Sequence, residues 1–117
     1  MSFAVALSFD KLRSLAFGSI SGTYAAVGAK VAFAARMFRL INNTDGDMLF
    51  SDDGTNDKLF CPANSFVLYD VTANRQSANN VLSLPAGIQF YVKQSTAPTK
   101  GAVYVEILYA VTPNTVT

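Results

Sequence analysis

Between residues 36 and 71, apolar runs of strand length alternate with turn sequences. The stretch reads RMFRLINNTDGDMLFSDDGTNDKLFCPANSFVLYDV, and its turns are Asn43-Thr44-Asp45-Gly46, Asp53-Gly54-Thr55-Asn56-Asp57 and Pro62-Ala63-Asn64-Ser65. An Asp-Gly pair between short alternating apolar runs is a strong hairpin signal, because glycine accepts a positive φ without steric cost. Residues 35–41 read as one strand, with Met37, Arg39 and Ile41 alternating against Arg36, Phe38 and Leu40, which puts Arg36 and Arg39 on opposite faces. Residues 47–51, 58–61 and 65–71 follow as shorter strands, the last rich in aromatic and β-branched residues.

Upstream, Phe3, Val5, Leu7 and Phe9 alternate. This pattern suits a first strand of the core or an extended arm that packs on a neighbour, with a short helix over 8–15 as an alternative. Residues 12–20 suit a strand bent at Phe17-Gly18-Ser19. Ser21-Gly22-Thr23-Tyr24 reads as a turn and 24–28 as loop; the alanine-rich 30–34 is compatible with helix or strand. Downstream, 73–80 is a polar surface loop, 81–84 a short strand stopped by Pro85-Ala86-Gly87, and 88–93 an alternating strand. The clearest strand is 102–111. Val103, Val105, Ile107 and Tyr109 line one face, the expected core, and Tyr104, Glu106, Leu108 and Ala110 line the other. Both faces are mostly apolar, so this strand should be central or have its outer face covered by a partner. About eight short strands with regular turn signals predict one antiparallel all-β domain, a β-sandwich or jelly roll, over 1–117, with 1–10 a possible arm and 112–117 a loose tail.

Composition sharpens this picture. A chain of 117 residues, half of them apolar, can bury one core without a disulfide or a metal. Nine basic and eight acidic residues leave a net charge of +1, which offers no clustered excess for nucleic acid. The apolar N-terminal run lacks a basic lead and is broken by Asp10 and Lys11, so neither a signal peptide nor a membrane span is expected. Charged residues make up only 15% and the mean hydropathy is +0.26, both unusual for a small domain that must cover itself with polar surface. Burial against copies of itself or other partners follows, with Phe3, Val5 and Leu7 as the expected interface residues. The alternative is a monomer covered by Ser, Thr and Asn.

Candidate chemistry is sparse. Histidine is absent, which removes the commonest general base, Ser-His-Asp catalysis and the commonest soft metal ligand. Cys61 is the only cysteine and reads as a small core residue. Glu106 is the only glutamate, nothing locates two acids across a cleft, and there is no glycine-rich phosphate loop. The chain is therefore expected to be no enzyme and to carry no cofactor. Asp45, Asp47, Asp52, Asp53 and Asp57 fall within 13 residues and could offer oxygen ligands to calcium. An EF-hand is not met, since Met48 stands where glycine is needed and no glutamate closes the loop. The same residue types build ordinary tight turns, which is the expectation for them. Five tyrosines could stack on sugars, but such residues more often belong to a core or interface with the hydroxyl at its wet edge.

The runs SISGTYAAVG (19–28), RLINNTDGDMLFSDDGTND (39–57) and IQFYVKQSTAPTKGAVYVEILYA (88–110) resemble a type of small protein encoded among the structural genes of tailed bacteriophages and prophages. The resemblance covers most of the chain and is most recognisable in the Asn-Asn-Thr-Asp turn region and the final hairpin. These are structural signatures without an active-site motif. The resemblance implies a β-sandwich that assembles in many copies on a virion, and supplies no site residues. The expected function is a non-enzymatic capsid decoration or cement protein, a homo-oligomer with a trimer favoured, touching the major capsid protein or portal and tail proteins. One alternative is a tail adaptor, ring or fibre-anchoring subunit of six- or twelve-fold symmetry. Another is a carbohydrate- or receptor-binding module, expected to expose tyrosines beside the Asp loops.

Overall fold

A computed structural model of the chain describes residues 6–70 and 84–111. Among them run strands β1 (Ala6–Phe9), β2 (Arg13–Ala16), β3 (Ala25–Ala26), β4 (Ala35–Thr44), β5 (Met48–Ser51), β6 (Leu59–Cys61), β7 (Ser65–Asp70), β8 (Tyr91–Gln94) and β9 (Gly101–Val111), with a 3-10 turn at Phe17–Ser19. The first sheet has the order β1-β9-β4-β7, and β2 pairs with the other half of the β9 edge that β1 occupies. The second sheet has the order β3-β8-β5-β6. All pairings are antiparallel.

With β1 and β2 taken as one interrupted strand, the pairings nest. The outermost strands pair with each other (β1/β2 with β9), then β3 with β8, β4 with β7, and β5 with β6. One long hairpin wrapped over itself into two packed sheets is a jelly roll. The β-sandwich expected from the sequence is therefore the fold. Its strand β9 is central, flanked by β1/β2 and β4.

The core forms where the alternating faces of the two sheets meet. Phe38 and Leu40 of β4 and Val103, Val105 and Ile107 of β9 are buried against Met48, Phe50, Cys61 and Val92 of the second sheet. Tyr109, the fourth expected core residue of β9, is only half-buried and stacks on Phe33 with ring centres 4.1 Å apart. A register shift between Ala35 and Met37 lets Ala35 bury although Met37, two residues on, faces out. The inner layer also holds one cation. Arg13 Nε donates to the Ala29 carbonyl at 2.6 Å and Nη2 to the Lys30 carbonyl at 2.8 Å, while Asp10 balances the charge at 3.1 Å.

Several local expectations change in three dimensions. No helix forms over 8–15; β1 and β2 pair along β9 instead, interrupted around Asp10. Residues 24–28 contain β3, whose two alanines carry no strand preference of their own and take it from β8. Asp45-Gly46 is not a hairpin turn, because β4 and β5 belong to different sheets. The chain turns a corner there, and a Cβ on Gly46 would run into the Thr96 carbonyl, so close approach is what demands glycine. Pro62-Ala63-Asn64-Ser65 likewise carries the chain between sheets, from β6 to β7. Only Asp53-Gly54 sits in a hairpin loop, between β5 and β6. The strand expected over 88–93 begins three residues later, at Tyr91. Leu84 makes a single bridge to Ala35. The rest of the strand expected over 81–84, the loop 73–80, the tail 112–117, and Phe3 and Val5 lie outside the described residues.

Candidate functional site

The open feature of the molecule is the outer face of the first sheet. Strand register decides which side chains share it, since residues directly opposite across a pair point the same way. Leu40 lies opposite Val67 and Val105 on the inner face, so Arg39, opposite Leu68 and Glu106, lies on the outer one. By the same rule Met37, Leu108, Phe9 and Asp70 form one outer row, Ile41, Phe66 and Tyr104 another, and Leu7 joins Ala110. Leu7, Phe9, Phe66 and Leu68 are 52%, 80%, 56% and 55% exposed. Exposed apolar side chains scattered singly are ordinary, whereas a contiguous sheet of them marks an interaction surface.

Within this face a shallow groove of about 250 Å³ runs between Phe9 and Leu68, with Met37 and Leu108 along it. Arg39 and Glu106 stand at the middle. Arg39 Nε and Nη2 both donate to Glu106 Oε1, at 2.6 and 2.5 Å, and the guanidinium lies 5.1 Å from the centre of the Phe66 ring. Both side chains keep about two-fifths of their surface in solvent, so the pair adds only about 1 kcal/mol or less to folding. The groove is lined by this ion pair and by apolar carbon.

Of the three expected interface residues, Leu7 lies on this face; Phe3 and Val5 are outside the described residues. Phe9, Phe66 and Leu68 are additional members that sequence reasoning did not single out. Their signal was the outward phase of each strand, but only register across strands brings residues 7–9 beside 66–68.

The second sheet presents a different exterior. The loop 52–57 leans over it, so that a Cβ on Gly54 would sit 3.3 Å from the Tyr91 ring. Lys93 pairs with Asp57 at 2.9 Å and lies over the Tyr24 ring, and the Tyr24 hydroxyl donates to Asp57 at 2.7 Å. Burial, then the hydrogen bond and charge of Asp57, push the Tyr24 phenol above its ordinary value, while Lys93 and Tyr24 hold the Asp57 carboxyl below its own. Two tyrosines thus stand beside an Asp loop, but both are half-buried and engaged with it.

The five aspartates divide between two turns, Asp45 and Asp47 at the β4–β5 corner and Asp52, Asp53 and Asp57 in the β5–β6 loop. Asp45 accepts hydrogen bonds from the Thr99 amide at 2.7 Å and the Thr99 hydroxyl, which lower its carboxyl. Asp47 accepts from the Ala63 amide at 2.9 Å and the Thr96 hydroxyl at 3.3 Å, joining three loops at one end of the sandwich. Asp53 caps its own loop, accepting from the Ser51 hydroxyl and the Thr55 and Asn56 amides. These bonds, that of Ser51 foremost, hold it far below the ordinary carboxylate range. Asp52 pairs with Lys58 at 2.6 Å. Among the described residues, no three His, Cys, Asp or Glu side chains converge as a metal site.

Among the described residues, four buried polar ones escaped sequence reasoning, Arg13, Asn42, Thr44 and Ser51. Asn42 and Thr44 end β4 inside the sandwich. Asn42 Nδ2 faces the carbonyls of Gly46, Cys61 and Pro62 at 2.8, 3.0 and 3.1 Å, and its Oδ1 accepts from the Thr44 amide and hydroxyl. The hint was phase: Asn42 continues the inward positions Phe38 and Leu40. Cys61 is buried beside them, and burial pushes its thiol up, away from the reactive thiolate. Comparison with protein-family models, with curated proteins and with solved structures finds no match for the chain.

Proposed function

We propose that this protein is a non-enzymatic structural component of a tailed-phage virion, packing on the capsid as a decoration or cement protein. The observation that carries the reading is the outer face of the first sheet, where Leu7, Phe9, Phe66 and Leu68 stand exposed around the Arg39–Glu106 ion pair. Burial of such a face stabilises an assembly by roughly 25 cal/mol per Å² of apolar area before the cost of association is subtracted. Two further points support the reading. The jelly roll is an architecture used by viral coat domains, though lectins use it too and a fold alone assigns no function. The turn region also resembles that of small phage structural proteins, as does the run 91–105, although its strands β8 and β9 lie in different sheets and form no hairpin.

The test is mass spectrometry of particles purified from a lysate of the strain that carries the gene. The expected result is the chain in many copies per particle, with antibody gold on the shell in electron micrographs. Gold confined to the tail would replace the capsid role by that of an adaptor or fibre anchor. A chain abundant in the lysate and absent from intact particles would overturn the virion reading.

A further inference from the structure

We infer that the outer face of the first sheet is a twofold interface, on which a second copy of this chain packs face to face about an axis parallel to the strands, between β4 and β9. The inference rests on the self-association in the proposed role, and adds the surface and the symmetry.

Area is the first argument. The four positions of the sheet hold eight (β1 with β2), eleven, ten and six residues; at about 3.3 Å per residue and about 4.8 Å per strand they span roughly 550 Å². Two such faces bury about 1,100 Å², which clears the roughly 1,000 Å² that a specific interface needs and sits at its small end. The competing surface on this side, the β1/β2 edge, is interrupted between the two strands, a feature that discourages edge-to-edge pairing.

Charge is the second argument. The central charges are one of each sign, and they are direct register partners on adjacent strands. A rotation about an axis parallel to the strands, passing between β4 and β9, exchanges the two strands at the same height. Arg39 of each copy then meets Glu106 of the other, and the intrachain pair becomes a four-charge ring with no net charge. The same rotation carries the β1 side of one copy over the β7 side of the other. Phe9, the most exposed large apolar residue of the face, shares a row with Leu108 and Met37 and thereby comes down on β7 at the height of Asp70, one row from Leu68. A self-complementary patch of this kind is what an isologous contact requires. It selects a pair of copies in place of the trimer expected from the sequence.

Light scattering behind a sizing column, on the full chain, tests this. The wild type should run at twice its 12.5 kDa. Arg39→Glu or Glu106→Arg alone sets like charges against each other at both symmetry-related contacts. Each should weaken the dimer about tenfold or more. Mixing the two variants should restore a dimer, because one copy then offers two negative charges to two positive ones. An intrachain role for the ion pair predicts no such rescue. Leu68→Glu, at an exposed position that costs the fold little, should weaken the dimer as well, and circular dichroism reports folding of every variant. A wild-type monomer that is still found on particles would overturn the inference and leave the virion reading standing. An oligomer indifferent to all three substitutions, or singly weakened variants that mixing does not rescue, would also overturn it.

Discussion

Replacing Asn42 by Ala should cost about 3–5 kcal/mol of folding stability, a large share of what a domain of this size possesses. Asn42 is fully buried. Its amide nitrogen serves carbonyls at two of the chain crossings between the sheets: Gly46 after β4, and Cys61 and Pro62 at the end of β6. Its oxygen holds the Thr44 amide at 3.1 Å and the Thr44 hydroxyl at 2.6 Å. An amide group has two hydrogens, so two of its three short donor contacts count fully at any moment. Two donated and two accepted bonds at about 1 kcal/mol each give about 4 kcal/mol, and orphaned buried partners or a shift of Thr44 move the figure within the stated range. Urea denaturation followed by circular dichroism measures it, with Asn43→Ala, at the exposed neighbour, as a control within about 0.5 kcal/mol of wild type. A loss below about 1 kcal/mol for Asn42→Ala would refute the claim that this side chain ties the crossings together. Asn42→Asp sharpens the test. It keeps the accepting oxygen and turns a second oxygen toward three carbonyls, which favours the protonated acid and raises its folded pKa above the unfolded value. Its stability should therefore be greatest below the unfolded value and fall as pH rises through the folded one.

The wild type should show the opposite trend in acid. The carboxyls of Asp45, Asp53 and Asp57 are all held below the ordinary value of 3.8 by hydrogen bonds that favour the ionised form. Their stabilising contribution is complete above that value and is lost as pH falls below it through the folded values. Melting curves between pH 6 and pH 2 should record the loss, and a flat profile would contradict it. Gly28→Ala should destabilise by about 1–3 kcal/mol in the same urea assay, since Gly28 has φ +68° and an added Cβ would lie 2.8 Å from Arg13 Cβ and Cγ. Gly87→Ala, with a positive φ but open space around it, should cost less, so equal losses would remove the Arg13 contact from the explanation. Cys61 should react with a disulfide reagent only as fast as the protein opens, and labelling of the native state at the rate of a free thiol would show that it is not buried.

Much of the strand content was legible before any coordinates. Residues 35–41, 65–71 and 102–111 announce themselves by period-two alternation, and Val103, Val105 and Ile107 occupy the core as that pattern predicts. Alternation is a local property, set by the pleat of one strand, so one segment suffices to reveal it. Turn chemistry was legible in the same limited sense. Asp45-Gly46 permits a reversal, but whether the chain makes a hairpin or passes to the other sheet depends on where β5 finds its partners, residues 59–61 and 91–94. Strand β3 exists only because β8 lies beside it. Asn42 looked like part of a turn, and only the approach of residues 46, 61 and 62 makes its amide a buried junction. The outer face was hidden for the same reason. Phe9, Arg39, Leu68 and Glu106 are far apart along the chain, and register across three strand pairs places them on one surface. The sequence by itself determined the strands, their inward phase and the shortage of reactive groups, all written in neighbouring residues. The tertiary structure decided which strands share a sheet, which polar side chains lock the corners and which apolar positions merge into a face, because each depends on partners that only folding brings together.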